Sequence, residues 1–152
     1  MITAWRIVKA AFAAAAFEGH GAAKFPGRWN SLGTRVVYTA ENRSLAALEM
    51  LANTGDKDEL IRARWSIIPV RFDPRLVLVP PRVPTNWREV PSPDSTRIFG
   101  SSWAAKGVSA VMKVPSTVTL GEFCYILNPL HPDFSKAEIG PIEIFRFNAR
   151  TV

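Results

Sequence analysis

The chain has 152 residues, 47% hydrophobic and 21% charged, the size and balance of one globular domain whose core closes without covalent staples. A single cysteine, Cys124, and two distant histidines, His20 and His131, exclude an intrachain disulfide and argue against thiolate or zinc chemistry. Nineteen basic residues, thirteen of them arginine, outweigh thirteen acidic ones for a net charge of +6, which favours an anionic ligand or partner: a nucleic acid, a dinucleotide or an acidic protein.

The first pattern, Arg6 to Lys9 followed by an apolar run over 10–17, superficially resembles a leader peptide. The run is mostly alanine, has no separate cleavage site and is far shorter than the ~20 residues a membrane span needs. The reading is a short Ala-rich helix over 10–17 in a cytoplasmic protein with no membrane association. Strands are predicted over 34–40, 65–72, 76–79, 108–114, 122–127 and 142–147, from β-branched content and alternation. The clearest helix covers 44–53, capped by Asn42 or Ser44 and stopped near Gly55. Prolines at 80, 81, 84, 91 and 93 mark a long mid-chain loop. Several strands with few helices predict an α+β domain around an antiparallel sheet.

Four places along this frame could carry chemistry. Gly27-Arg28-Trp29-Asn30, with Lys24 before it, puts a guanidinium fork, an aromatic face and a close-approach glycine into one turn, which reads equally as a recognition surface or as a tight turn with a half-buried Trp29. Tyr38 shares a strand face with Val36 and Ala40, the usual setting of a core aromatic. On the 44–53 helix, Leu45, Leu48 and Ala52 form the expected apolar stripe, and Glu49 stands beside it, where a carboxylate needs a partner or a cavity. Ser116 follows the strand-stopping Pro115 at a strand end, with no nucleophile elbow around it and no histidine placed as its base, so a hydrogen-bonding hydroxyl is the better reading. His131, in Asn128-Pro129-Leu130-His131-Pro132, reads as a turn residue.

Taken together, Gly19-His20-Gly21-Ala22-Ala23, Gly27-Arg28-Trp29-Asn30, Val36-Val37-Tyr38-Thr39, Ala46-Ala47-Leu48-Glu49, Val114-Pro115-Ser116, Asn128-Pro129-Leu130-His131-Pro132 and Phe147-Asn148-Ala149-Arg150 resemble, in order, the RES-domain toxins of bacterial RES–Xre toxin–antitoxin systems. The family's arginine, glutamate and serine correspond to Arg28, Glu49 and Ser116. Pro26 departs from a common glycine, and Asn53 from a common histidine.

The resemblance implies a single RES domain over 1–152 with an ADP-ribosyltransferase-like fold. It implies that NAD is a substrate rather than a resident cofactor, that no metal takes part, and that the nicotinamide–ribose bond is cleaved by hydrolysis or phosphorolysis, or with transfer of ADP-ribose to a protein. It further implies an Xre-like helix-turn-helix antitoxin that covers the active site and supplies the only link to DNA. In that frame Glu49 stabilises the oxocarbenium-like transition state, Arg28 holds a phosphate, Tyr38 packs on nicotinamide or ribose, and Ser116 bonds the amide or the incoming nucleophile. Lys24, Trp29 and Asn30 are secondary substrate contacts by position. The competing class is a basic RNA-binding or ribonuclease toxin, opposed by the scattered arginines and the missing histidine pair.

Overall fold

The computed structural model describes residues 1–152. Its frame is one sheet. The strands are β1 (Ile2–Lys9), β2 (Val37–Ala40), β3 (Trp65–Phe72), β4 (Val77–Leu78), β5 (Val111–Pro115), β6 (Phe123–Leu127), β7 (Glu138–Ile139) and β8 (Glu143–Phe145). They run in the order β4-β5-β6-β2-β1-β3-β7, with β8 also paired to β3. Every pairing is antiparallel except β4 with β5, which is parallel. The helices are α1 (His20–Lys24), α2 (Arg43–Asn53), α3 (Lys57–Arg62) and α4 (Asp94–Lys106).

The sequence reading needs four corrections. First, residues 2–9, to which no element was assigned, form a central strand: all eight residues of β1 pair with β3, from Ile2 opposite Phe72 to Lys9 opposite Trp65. Arg6 and Lys9 hid it by interrupting the apolar alternation. Second, the Ala-rich run forms a 3₁₀ turn, Ala10–Ala15, rather than an α-helix. Third, α2 begins at the Asn42 cap, whose side chain accepts the Leu45 amide at 2.7 Å, and it ends on extended Thr54; Gly55 is not left-handed. Fourth, the proline-rich stretch leads straight into α4, a helix that sequence reading missed. Its buried positions are Thr96, Gly100 and Trp103, a helical stripe in which only Trp103 is strongly apolar and which therefore gives little hydrophobic signal.

Alternation along the strands sorts the core onto both faces. Ala4, Val8, Ile68, Val70 and Phe72 pack on one face. On the other, Ile7, Ala40, Trp65 and Ile67 pack with Leu45 and Ala46 of α2 and Leu60 of α3. Further along that second face, Met112, Val114 and Ile126 pack with Trp29 and with Trp103 of α4. Two covers on one sheet face leave a hollow between them. β1 and β2 are paired through Trp5 and Ala40 alone, and Arg6 bridges the parting strands by donating to the carbonyls of Ala16 (2.7 Å) and Tyr38 (3.1 Å). Burial away from any carboxylate lowers the Arg6 pKa to about 10.

Candidate active site

The hollow between the two covers is a cleft of about 560 Å³, within the usual range for small-molecule sites. Its sheet floor includes Trp5, Tyr38, Ala40, Cys124 and Ile126; α2 contributes Ala46, Glu49, Met50 and Asn53, and the turn after α1 contributes Pro26, Gly27 and Arg28. Arg28 and Glu49 therefore share one hollow although twenty-one residues separate them.

Glu49 reaches the cleft because α2 turns differently from the expected stripe. Leu45 and Ala46 are buried, whereas Leu48 is 42% exposed and Ala52 is also exposed. The inward face is thus Leu45, Ala46 and Glu49, at the i, i+3 and i+4 spacings of one helical side. Three groups fix the carboxylate. Ser116 Oγ donates to Oε1 at 2.8 Å, Cys124 Sγ lies 3.4 Å from the same oxygen, and Asn53 Nδ2 donates to Oε2 at 3.3 Å. Burial, followed by the nearby Glu49 charge, pushes the Cys124 thiol well above its ordinary pKa. Cys124 thus remains a thiol donor and is not a thiolate nucleophile.

Ser116 stands behind Glu49. It is 2% exposed; its hydroxyl accepts the amides of Val118 (3.0 Å) and Thr119 (3.1 Å) while giving its one proton to Glu49. With its donor committed, Ser116 orients the carboxylate. Pro115 ends β5 immediately before it and Ser116 N donates to the Glu122 carbonyl, so the loop start is held by backbone as well.

The Arg28 turn is a hydrogen-bonded knot centred on Asn30, a buried residue that does not face the cleft. Asn30 Oδ1 accepts from Gly27 N (2.8 Å) and from Tyr38 Oη (2.6 Å), and its Nδ2 donates to the carbonyls of Ala22 and Thr34. Tyr38 Oη in turn accepts the Trp29 amide at 3.0 Å. Burial raises the Tyr38 pKa strongly, so the phenol keeps the proton that this network uses. Gly27 is required by proximity: a Cβ there would lie 2.7 Å from the Tyr38 ring. Tyr38→Phe leaves the Trp29 amide without its acceptor and is expected to cost about 1–2 kcal/mol of stability, measured by urea unfolding; a change below ~0.3 kcal/mol would show that the knot does not fix the turn.

Arg28 itself is half-buried. Its Nη1 donates to the carbonyls of Trp87 (2.8 Å) and Glu89 (2.6 Å), in the loop ahead of α4. The proline-rich loop is therefore a strap that holds this guanidinium. Burial lowers the Arg28 pKa, the Glu49 charge opposes that shift, and the Arg97 charge adds to it. Arg28 and Glu49 sense one another electrostatically without forming an ion pair, which leaves space for a ligand between them.

The remaining expected residues fall elsewhere. Lys24 is exposed at the end of α1 and does not line the cleft. Trp29 lines the cleft but is only 3% exposed, and its ring meets Phe99 edge-on, so it is a turn residue more deeply buried than expected rather than a free stacking face. His20 is exposed and His131 caps a 3₁₀ turn by accepting the Asp133 amide; neither lines the cleft. No cluster of three metal-ligating side chains is present, and no helix is long and apolar enough to cross a membrane. Sequence reading missed Trp5, Thr117 and Ser92 as cleft residues. Only Trp5 carried a signal, the alternation of β1.

Known proteins resemble this chain over nearly its whole length. A "Toxin Res" of Yersinia enterocolitica serotype O:8 / biotype 1B is 34% identical over 148 residues, covering 96% of this chain and 97% of its own. The "Prs ADP-ribosylating toxin" of Sphingobium sp. strain YBL2 is 29% identical over 153 residues, covering 97% and 95%. Among solved structures, the M. tuberculosis MbcT–MbcA toxin–antitoxin complex contains a chain that superposes with a TM-score of 0.73 at 17% identity, covering 95% of this chain and 84% of that one. The architecture is thus the α+β fold predicted from the strands, and the ADP-ribosyltransferase-like fold that the family resemblance implied. The RES domain signature matches residues 3–148, so the arginine and glutamate that converge on the cleft, with the serine behind them, do so within a chain that belongs to the RES-domain family of toxins.

Proposed function

We propose that this chain is the toxin of a toxin–antitoxin pair, acts in the cytoplasm, and consumes NAD by breaking the nicotinamide–ribose bond. The observation that carries the reading is Arg28 and Glu49 facing one unpaired space of about 560 Å³ with an aromatic and apolar lining. Breaking the bond moves its electron pair onto the nicotinamide nitrogen, so a cationic pyridinium leaves as a neutral base while positive charge grows on the ribose. No proton has to be delivered to the leaving group, which suits a cleft without histidine. Glu49, aimed by Ser116 and Asn53, stabilises that growing charge more than it stabilises bound NAD. Arg28 takes a phosphate and fixes the dinucleotide against Glu49. Tyr38 and Trp5 offer ring surface to nicotinamide or ribose. Water or phosphate then bonds to the ribose carbon and loses a proton to solvent.

A second acceptor is favoured by one finding: a relative that aligns over nearly the whole chain is named for ADP-ribosylating Prs. Transfer of ADP-ribose to a protein uses the same bond cleavage with a protein side chain as nucleophile. The cognate antitoxin in this reading is Xre-like and places an acidic segment over the cleft, since a +6 toxin associates faster and more selectively with a complementary surface.

The test is chromatography of products from NAD, with and without phosphate, for wild type and Arg28→Ala. Wild type should release nicotinamide, and Arg28→Ala should lower kcat/KM by roughly 10–100-fold, the loss of one charge-assisted phosphate bond. ADP-ribose, its phosphorylated counterpart or labelled protein identifies the acceptor. No nicotinamide from the wild type under any of these conditions overturns the proposal.

A further inference from the structure

We infer that Arg97, on α4, is a second anion-binding residue, in the small hollow that adjoins the cleft at Pro26, and that the pyrophosphate of the substrate reaches from Arg28 across to it. The inference rests on the NAD reading above and gives the ADP half of the substrate a side: the one facing α4.

The placement follows from helix geometry. Arg97, Gly100 and Ser101 are three and four residues apart and share a helix face. That face is fastened to the Arg28 turn, because Ser101 Oγ accepts the Ser31 amide at 2.7 Å and Gly100 packs against the Trp29 carbonyl. Arg97 therefore runs along the turn. It lines a second hollow of about 250 Å³ with Ser31 and Asp94, and Pro26 is common to this hollow and the main cleft.

Two features say that an anion belongs there. Arg97 Nε is enclosed with no acceptor, so the protein leaves part of this guanidinium's hydrogen-bonding capacity unmet, while the residue as a whole stays partly open to the hollow. Asp94 lines the same hollow but makes no ion pair with Arg97. Arg28 also lacks a carboxylate partner; its guanidinium bonds only two carbonyls. Neither guanidinium forms an ion pair, and the Arg97 charge acts against that of Arg28, a repulsion that an anion between them relieves. A group with two linked phosphoryl units matches them, one fork to each unit.

The experiment titrates ADP-ribose, and separately adenosine, into the full chain as wild type, Arg97→Gln and Arg97→Lys, with Tm as the control for folding. Arg97→Gln should weaken ADP-ribose by roughly 10–100-fold, leave adenosine unchanged, and keep Tm; Arg97→Lys should recover part of the loss. ADP-ribose affinity within twofold of wild type in Arg97→Gln, or a wild type that does not bind ADP-ribose, overturns the inference. Turnover measured on the same samples separates the two readings. Binding that depends on Arg97 in a protein that consumes no NAD removes the reaction and leaves the anion site. Turnover with an affinity indifferent to Arg97 does the reverse.

Discussion

On the proposed NAD-consuming reaction, replacing Glu49 by glutamine is expected to reduce kcat by roughly 10²–10³-fold, the scale of losing a preorganised electrostatic stabiliser. The substitution keeps size and most bonds: the amide oxygen still accepts from Ser116 Oγ and Cys124 Sγ, which lie at 2.8 and 3.4 Å from Glu49 Oε1. Only the Asn53 contact at 3.3 Å turns from donor–acceptor to donor–donor. Stability should thus move little, and KM should stay within a few fold, because the lost interaction matures only as charge develops on the ribose. A loss shared equally between kcat and KM would assign Glu49 to substrate binding instead. A kcat within threefold of wild type would remove it from the chemistry.

Much of this site was legible in the residues, in proportion to how directly a side chain's type reports its task. Arg28, Glu49 and Ser116 stood out as candidates with plainer readings beside them, the family resemblance singled out the three, and Asn42 as a cap was one of two readings. Roles were less legible than positions. Ser116 and Asn30 looked like ligand contacts because both are polar and stand beside the key residues. Both instead spend their hydrogen-bonding capacity on the protein, one orienting Glu49 and the other tying Gly27, Ala22, Thr34 and Tyr38 together. No local pattern distinguishes a polar group that serves a ligand from one that serves a neighbour sixty-seven residues away.

The fold failed to show itself where period and polarity disagreed. β1 alternates, but Arg6 occupies a slot that fills the parting between strands and so breaks the apolar rhythm. α4 is helical in period, with Thr96, Gly100 and Trp103 buried, yet only one of the three is strongly apolar. Serine, threonine and glycine at its interior positions have weak helix propensity, so tertiary packing against the Arg28 turn decides its conformation. Pro93 ahead of its first residue and left-handed Gly107 behind it were the two boundary signals available.

That dependence makes Gly100 the most sensitive structural position in the site. A Cβ at Gly100 would lie 1.8 Å from the Trp29 carbonyl oxygen and 2.7 Å from its carbon, and both belong to backbone that cannot rotate aside. Gly100→Ala would gain a few tenths to about 1 kcal/mol from helix propensity, but α4 must then shift away from the turn. Overpacking typically costs about 1–3 kcal/mol, and a contact of 1.8 Å with backbone puts this case at the upper end, so the net change is destabilising by roughly 2–3 kcal/mol. For a chain of this size Tm should fall by about 4–12 °C. The displacement also separates Ser101 from the Ser31 amide and loosens the strap carbonyls on Arg28, so NAD turnover should drop further than the unfolded fraction explains. Urea unfolding followed beside initial rates at low temperature tests both parts. An unchanged Tm would mean that α4 is not seated on the Trp29 carbonyl, and the placement of Arg97 beside Arg28 would lose its foundation with it.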